Sequence, residues 1–275
     1  MDHPQPYSDT DPRAMDVWVD LLRKQSPGEK LRTVLTMAAG GHAQLQANLR
    51  ERYPNASRLE IFERITALKI GNEVQLESMN ESSRDSLPDG FRRLLAVIDR
   101  LEIPYFVGGS VASSTYGFAR YTQDVDLVVA VALDDVEAFA AGLLKQEFYA
   151  DAGMMRDGIR LHRAFNVIYK PCVYKFDLFP LQADAYSRTQ LNRRRFTETN
   201  VLGEPIECAM ASPEDVILSK LRWHRLGRET SENQWNDVRG VVQVKGPELD
   251  LNYLHEWAKQ LNVADLLEKL LNEKR

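Results

Sequence analysis

Apolar residues return at helical spacing through the first quarter of the chain. Met15, Trp18, Val19 and Leu22 share one face of a first helix. Ser26-Pro27-Gly28-Glu29 opens a second, with a capping serine, proline in the first turn and a glutamate three residues on. Its apolar stripe runs Leu31, Val34, Leu35, Ala38, Leu45 and Leu49, and Gly40-Gly41 is expected to bend or divide it. Tyr53-Pro54-Asn55 ends the run, and Ser57-Arg58-Leu59-Glu60 forms another capping box ahead of Ile61, Ile65 and Leu68. Residues 1–80 therefore read as a helical module without a catalytic set, and 81–90 as a polar, turn-rich linker.

The pattern changes from Phe91 onward. Phe91, Leu94, Leu95, Ile98 and Leu101 make an amphipathic helix that feeds a short apolar strand, Tyr105 to Val107. Gly108-Gly109 breaks the strand, and Ser110 is placed to cap the next helix. A second strand spans Val125 to Val131, and a helix spans Leu133 to Glu147 with Val136, Phe139, Ala140 and Leu143 inward. Asp151 to Arg160 reads as a glycine-containing loop. Strands then follow at Ala164 to Tyr169 and Val173 to Phe179 across a Lys170-Pro171-Cys172 turn. The order predicts an α/β (α+β) core with a mixed sheet over residues 91–205. Residues 206–275 read as a trailing helical segment: a helix from Glu214 to Leu226 capped by Ser212, then helices around 234–244, 253–260 and 263–271.

Composition narrows the field. The 275 residues carry 35 Lys plus Arg against 40 Asp plus Glu, so contact with a polyanion would need a local basic patch. Arg193-Arg194-Arg195 is the densest such run. It reads as a solvated face, with an electrostatic landing site for an acidic acceptor as the functional alternative. Two cysteines, Cys172 and Cys208, offer neither a disulfide framework nor zinc spacing. The start of the chain lacks signal-peptide regions and no apolar run is long enough to span a bilayer, so a soluble, cytoplasmic protein with no membrane partner is expected.

Chemistry gathers at three places. Gly108, Gly109 and Ser110 form a turn whose backbone can approach an anion closely. Asp124 and Asp126 are two apart at the start of a strand and so share a face. Asp177 shares a strand face with Lys175 and Phe179, a carboxylate costly to bury unless paired or on a metal. Each has an ordinary reading alone: a turn, a strand terminus, a satisfied buried acid. Their joint order points to a metal–nucleotide site. Lys220, His224 and Arg228 fall at helical spacing as a cationic ridge. His224 reads as a surface or interface residue rather than a general base, and Trp223 and Trp235 read as core rather than as a base-stacking platform.

Val107-Gly108-Gly109-Ser110, Gln123-Asp124-Val125-Asp126-Leu127 and Lys175-Phe176-Asp177-Leu178 resemble the nucleotidyltransferase superfamily typified by DNA polymerase β and the small antibiotic nucleotidyltransferases. Ser212 to Lys220 and Gln234-Trp235-Asn236-Asp237 look like motifs of bacterial AbiEii-like, toxin–antitoxin nucleotidyltransferases, although Gln234-Trp235-Asn236 replaces the usual basic pair before the aspartate. The likeness covers about residues 88 to 270. It implies a polymerase-β-like core between helical segments. The implied activity is transfer of a nucleoside monophosphate from an NTP to a hydroxyl on RNA such as tRNA, a protein or a small molecule, with release of pyrophosphate. Asp124, Asp126 and Asp177 would ligate Mg²⁺ or Mn²⁺, and Asp177 would also take the acceptor's proton. Gly108, Gly109, Ser110, Lys220 and, more weakly, Arg120 would bind the nucleotide. The competing expectation is a catalytically silent nucleotide-binding or toxin–antitoxin scaffold whose helical module docks a protein partner. If that module restrains the enzyme, its deletion raises activity.

Overall fold

The computed structural model describes residues 12–57, 60–61, 63–65, 86–122, 124–201 and 204–273. Leu68 and the polar stretch 81–85 lie outside them. Two helices lead, α1 (Pro12–Lys24) and α2 (Pro27–Arg52). The capping box at Ser26 forms, with Glu29 N–H on the Ser26 hydroxyl and the Glu29 carboxylate accepting from Ser26 N–H at 2.7 Å. Helix α2 continues unbroken through Gly40-Gly41, contrary to the expected division. Its backbone ladder survives because apolar packing holds it on both sides of the glycines: Leu31, Val34, Leu35 and Ala38 are wholly buried before them, and Leu45 and Leu49 pack on the Ile61 and Ile65 cluster after them. The Ser57 capping box also forms, and Ile61 and Ile65 are buried beside Ile168 and Val173.

The expected linker is corrected at its end. Ser86 caps α3 (Leu87–Arg100), so Leu87 to Gly90 are a buried first turn. Pro88 belongs there because the first helical turn has no use for its missing N–H. Then come β1 (Tyr105–Val107), α4 (Gly109–Tyr116), β2 (Val125–Val129), a 3₁₀ turn Leu133–Asp135 and α5 (Val136–Lys145). Strand β3 (Phe148–Tyr149) follows, and Asp151 to Arg160 is mostly helix: α6 (Ala152–Leu161), capped by the Asp151 carboxylate. The expected loop fails because that cap, and Met155 buried one turn in, outweigh the two glycines. Strands β4 (Phe165–Tyr169) and β5 (Tyr174–Pro180) stand within a residue of their expected places, and α7 (Ala185–Arg193) follows.

A hairpin was missed altogether. Strands β6 (Arg195–Val201) and β7 (Glu204–Met210) pair antiparallel, so the expected boundary at 205/206 cuts a strand. The arginine run begins that hairpin. Arg193 is tied to Glu214 at 3.2 Å and its guanidinium lies 3.8 Å over the Tyr253 ring, so the run is not one free basic face. Helices α8 (Pro213–Leu226), α9 (Glu232–Lys245), α10 (Leu251–Gln260) and α11 (Ala264–Asn272) end the chain.

The seven strands form one mixed sheet in the order β3-β4-β5-β2-β1-β7-β6. Strand β2 is central, antiparallel to β1 and parallel to β5. Alternation gives the sheet two unlike faces. Val125, Leu127 and Val129 of β2, with Tyr174, Phe176 and Leu178 of β5, point into the core, where Phe91 of α3 stacks on Phe176 at 6.2 Å. The other face carries Asp126, Val128, Asp177 and Phe179, all only half-buried. The α2 residues belong to the same apolar core as the sheet, and Trp18 of α1 stacks on Phe118 at 4.8 Å.

Candidate active site

Strand β1 ends against β2, and Gly108 N–H donates to the Asp126 carbonyl at 2.9 Å. The turn is tight. Gly109 has φ +53°, and a Cβ there would overlap the Asp126 carboxylate, so only glycine fits. Gly108 rather than Ser110 is the N-cap of α4, a correction of the expected serine cap. Ser110 lies within the helix, where its backbone N–H supports the charged Asp126 and its hydroxyl accepts from Arg120 Nη2 at 2.6 Å.

The carboxylates converge through strand register. Asp126 and Asp177 are direct partners on parallel β2 and β5. Asp124 precedes β2, one-third exposed. Lys175 Nζ lies 2.7 Å from Asp177 Oδ2 and 3.5 Å from Asp124 Oδ2. Burial, reinforced by the charges of Asp124 and Asp177, pushes the Asp126 carboxyl up to about 6. Burial also raises Asp177, with Asp124 adding to the rise and Lys175 opposing it. Among the described residues, Asp177 Oδ1 is buried without a hydrogen-bond partner.

A second set of charges stands behind the turn. Asp237 of α9 accepts from Arg120 at 2.8 and 2.9 Å and from Lys220 Nζ of α8 at 2.7 Å, while Lys220 also donates to Gln234 Oε1 at 3.1 Å. Burial alone would raise the Asp237 carboxyl, but the Arg120 and Lys220 bonds and charges hold it below its ordinary value. The expected cationic ridge does not exist: Lys220 and His224 are buried, and Arg228 lies beyond the end of α8. His224 packs against the Trp235 ring at 5.4 Å rather than meeting solvent. Trp235 is core as expected, whereas Trp223 is 56% exposed.

Sequence reasoning overlooked the part played by Lys175 and left Asp237 without a role. The signal for Lys175 was present: two residues from Asp177 on one strand, it must share that face. Nothing local could have paired Asp237 with Arg120, 117 positions away.

A cavity of about 780 Å³ opens on this face, lined by Gly109, Ser110, Asp126 and Lys220 at one side. Among the described residues, no three His, Cys, Asp or Glu side chains gather into a ready-made metal cage. The donor set nevertheless fits Mg²⁺. It consists of hard carboxylate oxygens whose repulsion is only partly relieved by the Lys175 and Lys220 ammonium groups, and it includes one buried oxygen without a partner among the described residues. Mg²⁺ is ordinarily held by one or two carboxylates together with substrate phosphates.

No family model and no curated protein matches the chain. Solved structures do. The antibiotic-resistance factor ANT(2'')-Ia aligns with 67% of this chain and 94% of its own, at 14% identity and TM-score 0.39. An antigenic nucleotidyltransferase-like protein from Paracoccidioides brasiliensis aligns over 57% and 74%, at 23% identity and TM-score 0.36. The lincosamide antibiotic adenylyltransferase LnuA, bound to lincomycin, aligns over 60% and 99%, at 12% identity and TM-score 0.37.

Proposed function

We propose that this chain is a nucleotidyltransferase that moves a nucleoside monophosphate from an NTP to a hydroxyl acceptor and releases pyrophosphate. One observation carries the reading: Asp126 and Asp177 stand opposite each other in register beside a glycine turn that closes onto Asp126 itself. The backbone N–H of Gly109 and the Ser110 hydroxyl bind the triphosphate, while the Ser110 N–H holds Asp126 in place. Lys220 and Arg120, anchored on Asp237, supply positive charge behind it. Asp177, its carboxyl raised by burial, accepts the proton of the attacking hydroxyl. The new bond joins the acceptor oxygen to the α-phosphorus as the bond to the leaving pyrophosphate breaks. Asp124, Asp126 and Asp177 would hold Mg²⁺ or Mn²⁺, which supplies charge stabilisation to the attacking and leaving oxygens.

The buried Lys220–Asp237 pair supports kinship with the toxin–antitoxin type, whose acceptors would be an RNA such as tRNA, a protein or a small molecule. The test is incubation with each labelled NTP, Mg²⁺ and these acceptor classes. Transfer that disappears in Asp126→Ala is expected, and absence of transfer with every combination overturns the reading.

Lys175 favours a second reading. An ammonium already bridging Asp124 and Asp177 suits a nucleotide-binding scaffold without turnover. Mg²⁺-dependent NTP binding by calorimetry with no pyrophosphate release would select it.

A further inference from the structure

The cavity has an aromatic wall that the phosphate turn does not use. Phe179 follows Asp177 by two residues on β5 and therefore lies on the same sheet face. Trp223 follows Lys220 by three on α8, one turn further along the same helix side. Both line the cavity that holds Gly109, Ser110 and Asp126, and their rings meet edge to face at 6.5 Å. Trp223 keeps 56% of its surface exposed. A large indole left open beside a concave site, with apolar Phe106 and Val128 on the cavity floor, marks a place for a flat apolar group.

The polar groups around it suit a heterocycle tied to phosphates. Arg163 and Arg222 are exposed in the cavity lining and make no ion pair among the described residues. Gln182 and Gln190 bring side-chain amides, each with its Nε2 already donating, to Pro180 O at 3.2 Å and Ser219 Oγ at 3.0 Å. Their amide oxygens can accept from the exocyclic or ring N–H groups of a base. The volume lies in the usual range for a ligand of nucleotide size.

We propose that Trp223 and Phe179 form the nucleobase subsite, with the base against the indole and the triphosphate reaching the Gly109–Ser110 turn. This deepens the nucleotidyltransferase reading and rests on it. The base is favoured over the acceptor because the wall and the phosphate turn line one continuous cavity, and base and phosphates are one molecule.

The test compares NTPs with inorganic tripolyphosphate, which carries the phosphates and no base. With Mg²⁺ present, each NTP should quench tryptophan fluorescence, and tripolyphosphate should not. The quench should vanish in Trp223→Phe, which leaves the other three tryptophans in place. By calorimetry, Trp223→Ala should weaken NTP binding about tenfold or more while leaving tripolyphosphate binding within a factor of two, and Trp223→Phe should restore most of the loss. Circular dichroism should show the fold unchanged, since the side chain is exposed. Equal weakening of both ligands, or undiminished NTP binding, overturns the subsite. So does a loss confined to acceptor affinity, which would give the wall to the acceptor. If wild-type protein binds tripolyphosphate but no NTP preferentially, the subsite alone fails. If it binds neither, the nucleotidyltransferase reading fails with it.

Discussion

Lys175 Nζ stands 2.7 Å from Asp177 Oδ2 and 3.5 Å from Asp124 Oδ2, a tethered cation shared by two carboxylates. A divalent ion must contend with that ammonium for the same oxygens. Lys175→Met should therefore raise affinity for Mg²⁺ or Mn²⁺ about tenfold by calorimetry. Without metal, the same variant should melt below wild type, because Asp124 and Asp177 lose the charge that bridges them. Unchanged metal affinity would show that the lysine does not compete.

Asp126 makes stability depend on pH. Its folded carboxyl titrates at about 6, above its ordinary value, so the folded state binds the proton more tightly than the unfolded chain. That contribution is full below the unfolded value near 4, and is lost as pH rises through about 6. In EDTA, Asp126→Asn should exceed wild type in melting temperature at pH 8 by roughly 2–6 °C, with the gap closing towards pH 4. A gap that widens on acidification would contradict the assignment.

Asp237 accepts from two cations while almost wholly buried, so its removal leaves charge without a partner. Asp237→Ala should cost about 3–5 kcal/mol in urea unfolding. Asp237→Asn retains the shape. It should unfold closer to wild type yet raise KM for NTP, since Arg120 and Lys220 lose their anchor behind Ser110.

Gly109→Ala places a methyl group where the Asp126 carboxylate lies, at a backbone angle that disfavours any side chain. Transfer and NTP binding should both disappear, with a stability loss of at least about 1 kcal/mol. Gly108→Ala, which meets open space, is the control and should be far milder.

Deletion of residues 1–80 should not yield an activated enzyme. Leu31, Val34, Leu35 and Ala38 are wholly buried in the same core as the sheet. Burial of three such large side chains contributes roughly 1.5–3 kcal/mol each, a large part of the stability of an ordinary domain. The truncated chain should aggregate or lose its cooperative melting transition. A soluble, more active fragment would restore the view of these helices as a detachable restraint.

Local order was legible from the chain alone. The capping boxes at Ser26 and Ser57, the short strands bearing Asp126 and Asp177 and the glycine turn depend on residues a few positions apart, where sterics and periodicity act directly. The alternation of β5 likewise sets Lys175, Asp177 and Phe179 on one face. Other features could be decided only by the tertiary structure. The β6 strand carries a mostly exposed, polar sequence that becomes a strand because β7 is there to pair with it. The sequence pattern places Trp223 in the core and Lys220 on a cationic ridge, yet α8 turns the tryptophan to the cavity and the lysine onto Asp237. Side-chain burial and ion pairing depend on what stands opposite in space, and for Arg120 and Asp237 that neighbour is 117 residues away.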